Sequence, residues 1–226
     1  SHALLTAMNI VLLLLTIVGG RILPAFTSNA LRRANIAFNL HRYAWLETLL
    51  PVAMIAVVVV DVWQPGPMLR GWLACIVAAL HAVRLSGWRS LRTGGDPMLW
   101  VLHLAYAWLP LGFALKGIAL LGEAIWAQYW QHGFGIGAIA TMILAVTTRT
   151  ALGHTGRPLV VSRPILIAYL LLALAALLRV AGPVVWPDNY SAVLLAAGTS
   201  WALAFLIYVA VHGPILATPR VDGKPG

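Results

Sequence analysis

Seven long apolar runs, each almost free of charged residues, limit what this chain can fold into. A bilayer core about 30 Å thick is crossed by about 20 helical residues, and each run is long enough for one crossing. The runs lack the alternation of apolar and polar residues that marks barrel strands, so they predict helices. Their approximate limits are 3–23, 44–63, 67–86, 98–121, 129–150, 160–182 and 189–213. The sequence therefore predicts an all-α fold, a polytopic transmembrane helical bundle that forms one domain over residues 1–226.

Composition excludes a soluble domain. Hydrophobic residues make up 61% of the chain and charged residues 9%, whereas soluble domains carry roughly a quarter charged residues. The one cysteine, Cys75, excludes an internal disulfide framework and a cysteine-rich metal site. No charged segment precedes the first run and no small-residue cleavage pattern follows it, so it is predicted to be a spanning helix rather than a signal peptide.

The positive charges assigned to the loops, with Arg21 counted in the first loop, predict the orientation. Twelve of the fifteen Lys and Arg residues fall on one face: Arg21, Arg32, Arg33, Arg42, Arg84, Arg89, Arg92, Arg149, Arg157, Arg163, Arg220 and Lys224. Arg70, Lys116 and Arg179 belong to the other face. Short loops rich in Lys and Arg stay in the cytoplasm, so the N-terminus is predicted outside and the C-terminus inside. Insertion and contact with anionic lipid explain the net charge of +9 without a nucleic-acid partner.

Histidines within the runs are the main candidates for metal ligands. At a rise of about 1.5 Å per residue, His81 and His103 each lie about 7 Å from the inner ends of their helices. His132 begins the fifth run at the opposite face, so it cannot bind the same ion as His103. A haem iron held by two imidazoles needs ligands at similar depth, and Arg84 is placed to hold a propionate. The alternative is that each histidine is an ordinary hydrogen-bonded or interfacial residue.

Charged residues near the ends of the runs have two interpretations each. Glu47 lies about one turn inside the second run, and an ion pair with the inner-face arginines or a proton relay would explain it. Lys116 is predicted to extend its ammonium group to the outer interface. Arg149, at the end of the fifth run, either reaches the interface in the same way or has a function.

The segment that follows the fifth run combines His154 and Arg157 with the nearby Arg149. Gly153 and Gly156 allow the backbone to turn there. We expect this corner to hold carboxylates, which could belong to haem propionates, lipid headgroups or Glu47. A stripe of small residues on the fifth run predicts close helix packing: Gly133, Gly137, Thr141 and Ala145.

Three stretches resemble the NnrS family of bacterial inner-membrane proteins, which are associated with haem and copper and with relief of nitric oxide stress. They are "GGRILPAFTSNALRR" (19–33), "DPMLWVLHLAYAWLPLG" (96–112) and "HGFGIGAIATMILAVTTRTALGHTGRPL" (132–159). The resemblance extends through almost all of the chain. It implies that the sequence, which begins without Met, represents the C-terminal seven helices of a protein of about twelve.

The resemblance implies a set of functional positions: Arg21, His103, Tyr106, His132, Arg149, His154 and Arg157. Tyr106 also lies three residues after His103, so the two share a helix face. His81 belongs to no matching motif, and its pairing with His103 depends on depth alone. The implied partners are the lipid bilayer, haem, nitric oxide or a related small molecule, and the N-terminal helices of the same protein.

The leading hypothesis is a haem-binding, and also copper-binding, protein of the bacterial inner membrane that handles nitric oxide or a metal–nitrosyl species. No nucleophile–base set or phosphate loop is present, so any chemistry would belong to the metal, and enzyme activity is left open. A transporter or channel is the alternative, with Glu47, Lys116 and the histidines lining a path. A third hypothesis is a scaffold for a respiratory complex.

Overall fold

The computed structural model describes residues 2–36, 40–122 and 124–223, and Lys224 lies outside them. Helices account for 84% of the structure, and these described residues contain no strand. Seven of their helices are long and apolar enough to cross a membrane. The all-α fold and the seven spans are thus confirmed, and the chain is a multi-pass membrane protein. The orientation of its termini stays a prediction.

The spans are numbered α1 to α7 along the chain. They are α1 His2–Arg33, α2 Ala44–Trp63, α3 Pro67–Ser86, α4 Pro97–Gly122, α5 (130–154), α6 Arg163–Val185 and α7 Tyr190–Leu216. Single 3₁₀ turns at Ser90–Thr93, Ile125–Ala127 and Pro187–Asn189 join some of them. α2 and α3 have the predicted limits, but α1 continues ten residues beyond residue 23. The placement of Arg21 in a loop is therefore wrong. α1 continues through Pro24, which is buried in the bundle together with Thr27.

α5 contains a π-helix at Gly133–Ala140, between an α-helical turn at Trp130–His132 and the α-helix Thr141–His154. The Thr141 hydroxyl donates to the carbonyl of Ile136, five residues earlier, at 3.0 Å. A Cβ atom at Gly137 would overlap the indole of Trp108. The predicted stripe of small residues does permit close packing, but the group that approaches is a tryptophan ring.

α4 is the most enclosed of the spans and α7 the least. α1, α3 and α5 pack against α4, and α6 pairs mainly with α7. Tyr106, Leu109 and Phe113 of α4 are fully buried. Large apolar side chains on the outer helices are exposed, among them Val59 of α2 and Leu206 of α7. A bundle in lipid does not need to bury such residues, because lipid tails are as apolar as they are.

A buried ionic cluster joins four helices at the predicted outer end. Asp61 of α2 and Lys116 of α4 form an ion pair, and the residues are 3% and 1% exposed. Asn9 of α1 donates to the same carboxylate at 2.8 Å and Arg70 of α3 donates at 3.2 Å. The prediction that Lys116 extends to the interface is wrong, because Asp61 gives it a partner inside the bundle. Asp61 itself was not singled out from the sequence.

Removing the Asp61 carboxylate is predicted to destabilise the fold strongly. Asp61→Asn leaves the ammonium group of Lys116 buried without a counter-charge, a change that costs about 3–5 kcal/mol. The double variant Asp61→Asn/Lys116→Met buries neither charge and should recover much of that loss. Unfolding in mixed detergent micelles measures both, with the exposed Asp188→Asn as the control. A single variant as stable as this control would contradict the prediction.

Candidate functional site

A second polar network is buried at the predicted inner end, and Arg84 of α3 is its centre. Arg84 Nη1 donates to the carbonyl of Thr16 at 2.7 Å and to the Tyr106 hydroxyl at 3.3 Å. Arg84 Nε donates to Glu47 Oε1 at 3.2 Å, and Nη2 donates to the other carboxylate oxygen. The Tyr106 hydroxyl is 2.9 Å from His81 Nδ1. One guanidinium group therefore links α1, α2, α3 and α4, and the predicted ion pair of Glu47 is confirmed.

Two glycines of α1 make room for this network. A Cβ atom at Gly20 would overlap the guanidinium group of Arg84, and one at Gly19 would lie 3.5 Å from the Tyr106 ring. Arg84 can cross the face of α1 and reach the Thr16 carbonyl only because Gly20 has no side chain. This packing role of the Gly-Gly pair was not predicted from the sequence. Its signal was two consecutive glycines within an apolar helical run, where glycine is unfavourable.

His81 is fully buried beside this network. Its ring stacks on Phe113, with centroids 5.9 Å apart and planes 6° apart. Nδ1 bonds to Tyr106, whereas Nε2 has no hydrogen-bond partner in the part of the chain that the structure describes. Buried polar atoms are rarely left unsatisfied. The tautomer decides which group donates between Nδ1 and the Tyr106 hydroxyl. Only the tautomer with its proton on Nδ1 has an Nε2 lone pair for a ligand.

His103 is buried but occupied. Its Nε2 lies 2.8 Å from the Thr27 hydroxyl and its Nδ1 lies 2.9 Å from the Ser90 hydroxyl. The indole of Trp88 stands between the two histidine environments, with ring centroids 6.3 Å from His103 and 4.6 Å from Tyr106. Tyr106 therefore bonds to His81 rather than acting beside His103. Among the described residues, no three His, Cys, Asp or Glu side chains are grouped to hold a metal ion.

His132 lies far from this network, in the first turn of α5 at the opposite end of the bundle. It is half-buried, and its ring stacks on Tyr129 with centroids 6.5 Å apart. α4 begins at the predicted inner end, and His103 is in its second turn. The structure therefore agrees with the separation of His103 and His132 that depth predicts.

The side chains of the predicted corner, Arg149, His154 and Arg157, have different surroundings. The Arg149 guanidinium lies over the ring of Phe26, 3.9 Å from its centroid. Arg157 Nη2 donates to the Thr218 hydroxyl at 3.1 Å, and its Nη1 is buried without a partner in the described residues. Glu47 pairs with Arg84, so it is not the carboxylate that this corner holds.

The C-terminal segment packs against the same corner. Arg220 Nη1 donates to the backbone carbonyl of His154 at 3.0 Å, and Arg220 also pairs with Asp222. Gly156 has a φ of 73°, and a Cβ atom there would press on the Asp222 carboxylate. The imidazole of His154 is exposed. The corner therefore anchors the chain end after α7, a role that the sequence did not indicate.

Arg21 lines a cavity beside the Arg84 network. The cavity has a volume of about 430 Å³, and its walls are Ile17, Arg21, Arg42, Glu47, Pro51 and Arg84. Arg21 is exposed on α1, and Arg42 lies just before α2. Of the seven positions implied by resemblance, Arg21 and Tyr106 therefore lie at this network. His103 lies next to it, beyond Trp88.

The family profile described as NnrS protein matches residues 1–220. The chain belongs to the NnrS family. No curated protein and no solved structure matches it. The matched region of this NnrS protein includes both buried networks, all seven spans and every position that the resemblance implied.

Gly20→Ala is predicted to disrupt the network of this NnrS protein. The new methyl group would displace the Arg84 guanidinium, and overpacking of this kind costs about 1–3 kcal/mol. Gly198→Ala is the matched control, because a Cβ atom there meets open space. Unfolding in mixed micelles should show a loss for Gly20→Ala and none for Gly198→Ala. In an Arg84→Gln background, Gly20→Ala should lower the free energy of unfolding by less, because the guanidinium group that it displaces is gone. Additive losses from the two changes would contradict the predicted contact.

Proposed function

We propose that this NnrS protein binds haem in the bacterial inner membrane, associates with copper, and acts in the response to nitric oxide. Family membership supports the class of function. The observation that carries the proposal is His81, a fully buried imidazole whose Nε2 has no partner in the described residues. Imidazole is a common protein ligand of haem iron. Both the residue type and its unpaired Nε2 atom therefore suit a haem ligand.

The described residues supply only part of a haem site. His81 offers one donor atom, and both nitrogens of His103 already face hydroxyl groups. We therefore propose that a second axial ligand and the copper ligands come from helices that precede this chain in a longer protein. His132, at the opposite end of the bundle, would belong to a separate centre in such a protein.

The contacts of His81 would orient it as a ligand. Metal-bound histidines usually donate their other ring N–H to a fixed partner, which sets the ring orientation and strengthens the ligand. Tyr106 holds this position, and Arg84 and the α1 glycines hold Tyr106 in turn. Phe113 covers one face of the imidazole and keeps water from it. Haem iron, when bound, would supply reversible binding of nitric oxide and one-electron chemistry.

A transporter is the second candidate, and the Asp61–Lys116 cluster is the observation that favours it. Charged residues buried in a membrane often mark the path of an ion or a substrate. Here Asp61 contacts three other helices, which equally fits a structural role. The two functions differ in whether the purified protein carries a cofactor.

Reduced-minus-oxidised absorbance spectra of the full-length protein in detergent test the proposal. The parent should show a haem band, and His81→Ala should lose or shift it because the iron loses a ligand. His103→Ala and His132→Ala should keep the band with at most a small change. His41→Ala is the control, because it removes an exposed histidine that is not proposed as a ligand.

The outcomes separate the alternatives. Restoration of the band of His81→Ala by free imidazole would show that the lost group is a ligand rather than a packing element. An unchanged band in His81→Ala would remove His81 from the site, and loss in His103→Ala or His132→Ala would place the ligand there. A parent without any haem band would overturn the haem proposal and favour the transporter, which substrate flux into vesicles then tests.

A further inference from the structure

The cavity beside the Arg84 network contains more positive charge than its own contacts neutralise. Arg21, Arg42 and Arg84 line it together with one carboxylate, Glu47. Arg84 and Glu47 neutralise each other through paired hydrogen bonds. Arg42 approaches Glu47 only to 4.0 Å, and Arg21 has no ion-pair partner among the residues that the structure describes. Two guanidinium groups therefore remain available at one cavity.

The cavity lies at the depth of lipid headgroups. Arg42 directly precedes Tyr43 and Trp45, whose rings lie 6.3 Å apart at the start of α2, and Trp45 is exposed. Exposed Trp and Tyr residues of membrane proteins concentrate at the level of the headgroups. Arg42, with its side chain 52% exposed, is thus placed where membrane phosphates occur.

The size and the lining of the cavity suit a phosphate group. Its volume of about 430 Å³ exceeds that of several water molecules at about 30 Å³ each. Ile17 and Pro51 form an apolar wall next to the charged one. An amphipathic lipid has a polar and an apolar part, and this lining offers a surface for each. Arg is the side chain best suited to phosphate, because its planar fork donates two parallel hydrogen bonds.

We propose that this cavity is a phosphate-binding site of the predicted inner face, with Arg21 and Arg42 as the charged contacts. The Arg84–Glu47 pair forms its fixed floor, and that pair is held by Gly20 and Thr16 of α1. The phosphate belongs either to an anionic phospholipid of the inner leaflet or to a free phosphate ion. The site does not depend on haem, since neither Arg21 nor Arg42 bonds to His81 or Tyr106.

Two measurements on the full-length protein test the site and separate the sources. Native mass spectrometry counts the phosphatidylglycerol molecules that remain on protein taken from mixed vesicles of phosphatidylglycerol and phosphatidylcholine. Thermal unfolding in detergent compares inorganic phosphate with chloride at equal ionic strength. The variants are Arg21→Gln and Arg42→Gln, and Arg163→Gln is the matched control, because it is also an exposed arginine of the predicted inner face.

Each site variant should weaken binding of the phosphate group about tenfold or more, since it removes a hydrogen bond between charged groups. Loss of retained phosphatidylglycerol in both site variants, but not in Arg163→Gln, supports the site with a lipid as its source. Stabilisation by inorganic phosphate that both variants abolish supports the site with free phosphate as its source. Site variants that match Arg163→Gln in both measurements would overturn the proposal.

Discussion

The predicted inner half of the bundle depends on the hydrogen bonds of the Arg84 guanidinium group. A charge within a membrane protein is expensive unless it is paired and fully hydrogen-bonded. Arg84 satisfies this condition through Glu47, Thr16 and Tyr106, on three other helices. The arrangement is possible because Gly20 leaves space for the guanidinium group. The position of Tyr106, and through it the orientation of His81, follows from this one buried cation.

At the predicted outer half of the bundle, a buried charge is again paired and fully hydrogen-bonded, by different residues. Asp61 and Lys116 pair there, and Asn9 and Arg70 complete the cluster. In both networks α2 supplies the carboxylate and α1 supplies an uncharged partner. α1 to α4 are therefore fixed by ionic contacts at both ends, whereas α5 packs onto α4 through small residues such as Gly137 beneath Trp108. The two parts of the bundle are held by different kinds of interaction.

Hydropathy predicted the spans well because the bilayer sets the length of an apolar helix. It gave depth along the membrane but not the rotation of each helix, so it could not show that Lys116 faces Asp61. The count of loop charges assigned Arg21 to the first loop, since charge alone does not reveal that α1 continues to Arg33. The motifs of the resemblance correctly indicated the family. They did not show which of their residues meet, and the π-helix of α5 had no recognisable sequence signal.

His81 and His103 have the same predicted depth, so depth alone does not distinguish them as candidate ligands. Their hydrogen bonds do. A cofactor that recruited His103 would have to replace a contact to Thr27 or Ser90, and each neutral hydrogen bond contributes about 1 kcal/mol. At His81 the Nε2 atom has no hydrogen-bond partner among the described residues, so a ligand there would replace no hydrogen bond. The same imidazole is oriented by Tyr106, and Tyr106 by Arg84. Because a ligand at His81 Nε2 replaces no hydrogen bond and the ring is already oriented, we infer that His81 is the better candidate ligand of the two.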